Sequence, residues 1–316
     1  MSQPVTLIQA IRHFANPEAC IDFLSELRWP DGVVVCPNCG SDEVRYIAAR
    51  YLWECKSKHA KRQFSIKVGT IFEDSPVGLD KWLAAIWMIA NDKNGVSSYE
   101  MHRSLGVTQK TAWFMLHRIR LAMQTKSFDK ITGPTEADET FIGGKSENMH
   151  KDRRAKRIKS TGPAGKTVVF GLLERNGPDG HSQVRAKVVP NNRRRVLLPE
   201  IEKNVATGTE IFTDAHPSYR MLKREYIHES IDHAESYVRG QVHTNGLENF
   251  WSLLKRAIRG TYVNVEPTHL FRYLDEEVFR YNNRKTDDAG RFVRVLRSII
   301  GKRLTYAELT SATRPV

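Results

Sequence analysis

Three cysteines and a histidine in the N-terminal part of the chain are spaced to bind one metal ion. Cys36 and Cys39 form a CPNC turn, Cys55 lies in an aromatic segment, and His59 follows four positions later. Three thiolates and an imidazole make the closed tetrahedral set that holds structural Zn²⁺. The alternative is that the first two cysteines are free thiols and His59 is an ordinary polar residue. The surrounding segment has too few apolar side chains to fold without a metal cross-link, which favours zinc.

Three carboxylates further along the chain are candidates for a second metal site. Asp138 lies in a predicted strand within TEADETFIGG, Asp214 ends the predicted strand IFTD, and Glu248 lies in a predicted helix within HTNGLENFWSLLKR. Strand alternation places Glu136 beside Asp138 on one face and Glu139 on the other. Two strand carboxylates and one helix carboxylate are the hard oxygen ligands that paired Mg²⁺ ions need for phosphoryl transfer. Each acid alone is equally consistent with a surface residue, a helix cap or an ion-pair partner.

The predicted helix around Glu248 has two faces. The apolar residues that we expect to be buried are Leu247, Phe250, Trp251 and Leu254. The polar residues that share another face, at spacings of three, four and three, are Asn245, Glu248, Ser252 and Lys255.

The charge balance indicates a polyanionic partner. The chain has 49 Lys and Arg against 36 Asp and Glu, a net charge of +13, with basic clusters at Lys151–Lys159 and Arg193–Arg195. This excess favours nucleic acid first and an anionic membrane second. The N-terminus lacks the features of a signal peptide, and the sequence contains no uncharged run long enough to span a bilayer. We therefore expect a soluble cytoplasmic protein, associated with the nucleoid when bound to DNA, with no membrane partner.

The distribution of residue types along the chain predicts four regions. They are an N-terminal helical segment (1–30), a β-rich zinc ribbon (31–72), a helical DNA-binding region (73–125) and a mixed α/β core (130–300), with a linker near 126–134. Within the core, apolar runs predict strands at 137–142, 167–173, 184–189 and 210–213, and helices at 194–204, 245–258 and from His269 onward.

A helix-turn-helix is predicted within the helical region. The tight turn is Leu105-Gly106-Val107, and Thr108 is a suitable N-cap for the second helix. Such a helix can enter the major groove of DNA with its N-terminal polar residues at base edges. The residues that we expect toward solvent or DNA are Gln109, Lys110, His117, Arg118 and Arg120. The alternative is an ordinary helical hairpin without a DNA role.

The order of long motifs resembles a known family. CPNCG is followed by RQFSIKVGTIFEDS, then WMIANDKNGVSSYEMHRSLGVTQKTAWFMLHRIR, EADETFIGGK, FTDAHPSY and HTNGLENFWSLLKR. This series is similar to bacterial insertion-sequence transposases that carry a zinc ribbon and an integrase-like DDE core, related to the Merlin transposons. The similarity extends from about Cys36 to Asn283.

The resemblance implies an α/β core with the RNase H-like, integrase-type fold. It implies that Asp138 and Asp214 are the first two ligands of catalytic Mg²⁺ or Mn²⁺, and that Glu248 is the third. Lys255 matches a family lysine that contacts DNA phosphate. Because some relatives have Asn in the third position, Asn245 on the same helix face is the alternative third residue. His59 stands where many relatives have cysteine.

The function expected from these features is DNA transposition. The enzyme would cleave the terminal inverted repeats of an insertion sequence and join them to target DNA by in-line phosphoryl transfer, as a homo-oligomer. Two other functions fit part of the sequence: a non-catalytic zinc-ribbon and helix-turn-helix regulator, and an RNase H-like nuclease without strand transfer. Mg²⁺-dependent nicking separates the first from an enzyme, and joined products separate the second.

Overall fold

A computed structural model of the chain describes residues 4–124, 129–143, 165–177, 180–231 and 243–311. The basic cluster Lys151–Lys159 lies outside the described residues. The chain divides into two compact units. Among the described residues, the first contains those up to Gln124 together with 283–311, and the second contains those between them.

The helices and strands follow one another along the chain in the predicted order. The helices are α1 (Leu7–Phe14), α2 (Pro17–Arg28), α3 (Leu79–Asn91), α4 (Ser98–Leu105), α5 (Gln109–Met123), α6 (Arg194–Asn204), α7 (Asn245–Ala257), α8 (Leu270–Asn282), α9 (Asp288–Arg297) and α10 (Tyr306–Thr310). The strands are β1 (Val44–Ile47), β2 (Leu52–Cys55), β3 (Gln63–Phe64), β4 (Thr135–Ile142), β5 (Thr167–Glu174), β6 (Gln183–Val189), β7 (Glu210–Asp214) and β8 (Ile227–Ile231). A π-helical turn, Ile258–Tyr262, continues directly from α7.

An aromatic cluster holds the helices of the first unit together. Phe292 of α9 lies 5.0 Å from Trp87 of α3, 5.9 Å from Phe14 of α1 and 6.1 Å from Phe23 of α2, measured between ring centroids. Burial of these large rings is the main stabilising contribution of such a contact. Residues from Asn283 to 300, which the sequence pattern assigned to the core, therefore pack with the first unit. The apolar stripe of α9 is the physical reason for this correction.

The β-rich part of the first unit is a three-stranded antiparallel sheet of order β1-β2-β3. Its small core is built on Trp53 of β2, whose ring lies near those of Trp29, Tyr46 and Phe64 at 5.0–6.0 Å. Few other large side chains are available here, which agrees with a need for a metal cross-link.

The second unit is a mixed five-stranded sheet of order β6-β5-β4-β7-β8 with helices on both faces. β4 pairs antiparallel with β5 and parallel with β7, and β8 extends the parallel side. Helix α6 packs through Leu197 and Ile201 on the face that contains Ala137 and Ile211. Helices α7 and α8 pack on the opposite face. The α/β class expected for this region is confirmed.

Among the described residues, no helix has both the length and the apolar character that crossing a membrane requires.

Candidate active site and zinc centre

The four expected zinc ligands lie together. The ligand atoms of Cys36, Cys39, Cys55 and His59 all lie within 4.8 Å of one another. Cys36 Sγ is 3.5 Å from His59 Nε2, and Cys39 Sγ is 3.6 Å from Cys55 Sγ. Ligands about 2.3 Å from a tetrahedral Zn²⁺ lie roughly 3.8 Å apart, so these two separations suit the ion, and small side-chain shifts would bring all four donors to it.

Hydrogen bonds around the cluster orient the ligands. His59 Nδ1 lies 2.6 Å from the carbonyl oxygen of Ala60, which directs Nε2 toward the thiols. Burial raises the pKa of Cys55, but hydrogen bonds from His59 and from the backbone of Ser57 outweigh it and lower that pKa to about 6. The thiolate that zinc requires is therefore favoured at neutral pH. Cys20 lies apart from the cluster, and its buried Sγ donates a hydrogen bond to the carbonyl of Phe14.

In the second unit, the parallel pairing of β4 and β7 brings two carboxylates side by side. The register pairs Ala137 with Thr213, and the next residue on each strand is Asp138 or Asp214. Neighbouring strands lie about 4.8 Å apart, so these two aspartates are adjacent at the carboxyl end of β7. Asp214 Oδ1 accepts the N–H of His216 at 3.0 Å, which orients its carboxylate at the strand terminus.

Asp138 has a partner from α7 that the sequence pattern assigned only to the buried stripe. The indole N–H of Trp251 donates to Asp138 Oδ2 at 2.9 Å. The residue paired with Asp138 on β5 is Gly171, and a Cβ there would meet the Trp251 ring at 2.7 Å. The absence of a side chain at Gly171 therefore makes the space in which the indole reaches the carboxylate.

The surroundings of Asp138 raise the pKa of its carboxyl group. The pKa of this carboxyl is raised to about 7, mainly because the group is buried; the Trp251 hydrogen bond opposes the rise, and the neighbouring carboxylates of Glu139 and Asp214 add to it. Neighbouring acids that repel one another favour a cation between them. The donor set suits a hard divalent ion, because carboxylate oxygens are the ligands that Mg²⁺ prefers.

A pocket of about 540 Å³ opens beside Asp138. Glu248 of α7 lines it with Asp138, and the cations on its rim are Lys255, Arg256 and Arg259. Burial and the nearby Arg259 lower the pKa of Lys255, while Asp138 raises it. The pocket thus combines carboxylates with basic side chains, which suits a phosphodiester substrate.

Glu139, on the opposite face of β4, is occupied by other partners. Its carboxylate accepts a hydrogen bond from the hydroxyl of Tyr219 at 2.5 Å and one from the amide of Asn192 at 3.1 Å. Tyr219 belongs to the 3₁₀ turn that follows Asp214. Glu139 therefore joins that turn to β4, and it also lines the pocket beside Asp138.

Comparison with known proteins identifies two transposase domains in the chain. The profile of the ISXO2-like transposase domain matches residues 130–282, and that of the transposase zinc-ribbon domain matches residues 15–59. An uncharacterized transposase-like protein of Haemophilus influenzae is 32% identical over 102 residues, which cover 32% of this chain and 82% of that protein. The chain belongs to the ISXO2-like transposase family.

A second relative matches this transposase over most of its length. It is an uncharacterized protein in transposable element ISH50 of Halobacterium salinarum, 27% identical over 285 residues, covering 85% of this chain and 94% of that one. No solved structure gives a significant match. The family resemblance stated from the motifs is therefore confirmed.

The helices predicted to read DNA differ in one respect from the sequence-based expectation. Gly106 takes the left-handed conformation (φ 61°) between α4 and α5, and the Thr108 side chain caps α5 as expected. Arg118, however, is only 4% exposed. Its guanidinium donates to the carbonyls of Leu304, Ile71 and Glu73.

His117 and Arg120 are buried as well. Helices α3, α4 and α9 pack around α5, so little of the middle of α5 is left to face a partner. The expectation that Arg118 and these two neighbours face solvent or DNA is therefore wrong.

The N-terminal turn of α5 keeps its polar residues near the surface. Lys110 is exposed, and its ammonium lies 4.6 Å from the centre of the Tyr306 ring in α10. Gln109 is half-buried, and its amide donates to the hydroxyl of Ser98 at 2.8 Å. Of the five residues of this helix that were expected toward solvent or DNA, Lys110 is the exposed one.

Three residues of the transposase pocket were missed in the sequence. Arg256 and Arg259 lie four and seven positions after Ser252, a helical spacing that could have placed them on the same face. Trp251 gave no such signal, because a tryptophan within an apolar stripe is ordinarily a core residue.

Proposed function

We propose that this transposase cleaves the ends of an insertion sequence and joins the freed 3′ ends to target DNA. Asp138, Asp214 and Glu248 would hold Mg²⁺ or Mn²⁺. Bound there, the ions would stabilise the charge that develops on the attacking and leaving oxygens of an in-line displacement. The observation that carries the proposal is the adjacency of Asp138 and Asp214 on parallel strands, beside a pocket that Glu248 completes.

The sheet supports an RNase H-like core. An antiparallel meander, β4-β5-β6, is followed by two parallel strands that add to the other side of β4, with helices on both faces. The central strand β4 carries Asp138, and its parallel neighbour β7 carries Asp214. This is the arrangement expected when the first two acids of a DDE enzyme come from neighbouring strands of such a core.

Glu248 is the better candidate for the third position. Both Glu248 and Asn245 are exposed on α7, but Glu248 is among the residues that line the pocket with Asp138, and Asn245 is not. A carboxylate also contributes a full negative charge toward the ions, which an amide does not. We therefore assign the third ligand to Glu248 and leave Asn245 as a neighbour on the DNA side.

The basic rim would hold the substrate strand. Lys255 and Arg259 are four residues apart and face the same pocket as Glu248. Ammonium and guanidinium groups bind phosphate through charge-assisted hydrogen bonds, and Arg can do so with two at once. The rim would thereby place the scissile phosphate against the carboxylates without contributing sequence preference.

Recognition of the ends would fall to the first unit. Helices α4 and α5, with Gly106 between them, support a helix-turn-helix in which Lys110 and Gln109 lie at the start of the second helix. Cleavage of two ends requires two active sites, so the transposase would act as a homo-oligomer on DNA.

The test is metal-dependent cleavage of DNA that carries the element's ends. Asp138→Asn and Asp214→Asn should each lower the rate at least about 100-fold, or about 2.7 kcal/mol at 1.36 kcal/mol per tenfold, with DNA affinity retained. The matched control is Glu202→Gln, an exposed acid of α6 in the same unit. Wild-type rates in either aspartate variant would refute the assignment. Binding without cleavage by the wild type would favour a regulator, and nicking without joined products would favour a nuclease.

A further inference from the structure

Two residues before Asp138, a buried glutamate contacts the beginning of α7. Glu136 is 1% exposed, and its Oε2 accepts the backbone N–H of Leu247 at 2.9 Å. Its Oε1 accepts a hydrogen bond from Arg175 Nε at 2.9 Å, and His243 Nδ1 lies 3.4 Å away. A buried carboxylate of this kind needs partners that compensate for lost hydration, and here both oxygens have them.

The carboxylate of Glu136 caps the N-terminus of α7, although Glu136 belongs to β4. The first N–H groups of a helix have no partner within the helix. Thr244, at the N-cap position of α7, makes no side-chain cap bond, and its hydroxyl lies 3.5 Å from Glu248 Oε1 instead. Glu136 satisfies the helix from β4, where a negative charge also interacts favourably with the helix dipole. Arg175 completes the connection by donating to the carbonyl of His243 at 2.7 Å.

The approach of α7 to β4 is too close for a side chain at Gly246. A Cβ at that position would lie 2.9 Å from Glu136 Oε2 and 2.9 Å from Leu173 Cδ1. Both neighbours are buried, so neither can move aside into solvent. Any larger residue must displace the first turn of α7, and Glu248 lies in that turn.

We infer that Glu136 is a positioning residue that sets the distance between the carboxylates of Asp138 and Glu248. It is bonded to the residue directly before Glu248 and is two residues before Asp138 on the same strand face. Metal sites tolerate displacements of only about 0.5 Å, so this short connection is where such precision can be held. The inference rests on the proposed function, because it concerns the metal site proposed there.

The experiment measures Mn²⁺ binding to the full-length, zinc-loaded protein by the electron paramagnetic resonance signal of the free ion. Glu136→Gln leaves Leu247 N–H or Arg175 without its acceptor, and Gly246→Ala displaces α7 sterically. Each should weaken Mn²⁺ binding about tenfold or more, the usual effect of losing an outer partner of a metal ligand. Gly260→Ala is the matched glycine control, because a Cβ there meets nothing within 4 Å.

Two further variants separate positioning from folding. Ile201→Val removes a buried methyl group from the opposite face of the sheet, and it should destabilise the unit without changing Mn²⁺ affinity. Asp138→Asn should abolish the binding that the other variants weaken. The inference is overturned if Glu136→Gln and Gly246→Ala, once corrected for the folded fraction, bind Mn²⁺ like Gly260→Ala while Asp138→Asn does not. If Asp138→Asn binds Mn²⁺ as well as the wild type, the proposed metal site itself fails, and this inference fails with it.

Discussion

Replacement of Arg118 by leucine tests directly whether this arginine supports the fold or contacts DNA. The guanidinium donates three hydrogen bonds to backbone carbonyls, at 3.0 Å to Leu304, 3.1 Å to Ile71 and 2.9 Å to Glu73. It also lies 4.4 Å from the centre of the Phe114 ring. Leucine retains part of the apolar packing but leaves these acceptors without the donor.

The expected loss in the free energy of unfolding follows from the number of hydrogen bonds that are removed. A hydrogen bond from a charged group contributes roughly 1.5–3 kcal/mol, so the three together amount to at least about 4.5 kcal/mol. Burying the guanidinium costs part of that sum, as the lowered pKa of Arg118 caused by burial shows. We expect a net loss of about 3 kcal/mol in the free energy of unfolding. For a unit of this size, that corresponds to a fall of roughly 6–12 °C in the unfolding temperature.

Two measurements are needed. Calorimetry of the zinc-loaded protein gives the unfolding temperature. DNA affinity at several salt concentrations, measured well below that temperature, gives the salt dependence of binding. Arg118→Leu should lower the unfolding temperature and leave the salt dependence of DNA binding unchanged. Lys110→Ala is the control with the opposite expectation: stability retained, and a salt slope smaller by about 1 if this lysine neutralises one phosphate. An Arg118→Leu protein of normal stability with a smaller salt slope would refute the structural role.

Three further predictions follow from the sites. The protein should bind one Zn²⁺ per chain, and Cys36→Ser should release it more readily than His59→Ala, because a thiolate is the stronger ligand; metal analysis after mild chelation decides this. Lys255→Ala should weaken binding of cleaved ends with Mn²⁺ affinity intact, whereas Glu248→Gln should retain DNA affinity and lose cleavage; equal effects of both variants on both measurements would contradict the assigned roles. Trp251→Phe keeps the ring packing but removes the N–H that Asp138 accepts, so Mn²⁺ binding should weaken by up to about tenfold; unchanged binding would show that the indole is only a core residue.

Elements with a strong apolar pattern could be predicted from the sequence. Strand β5 and helix α6 appear within one residue of their expected bounds, because continuous or periodic apolar runs determine which side chains are buried. Strand β8 was missed, since its sequence IHESI alternates with polar residues and lies at the edge of the sheet. The run Val33–Val35 lies in the region expected to be β-rich, and it pairs with no strand among the described residues.

The residues assigned to the zinc site, the carboxylate pair and the DNA-binding helix could be predicted from the sequence to different degrees. The zinc ligands follow from spacing along the chain, because a CPNC turn and a following hairpin determine the geometry locally. The pairing of Asp138 with Asp214 depends on the register between β4 and β7, which no local pattern contains. Arg118 was assigned to the surface because arginine is rarely buried, and only the carbonyls of distant segments explain why it is.

Helix α7 shows why periodicity alone could not describe the active site. Its spacing correctly separates an apolar stripe from a polar face, but spacing says nothing about how closely the helix approaches the sheet. The distance between α7 and the sheet depends on two glycines: Gly171 lies under the Trp251 ring, and Gly246 lies against Glu136. Because both glycines permit contacts near 3 Å, a residue of the apolar stripe reaches Asp138, and a strand carboxylate reaches the first turn of the helix. The placement of Asp138 and Glu248 relative to one another therefore depends on two residues that carry no functional group.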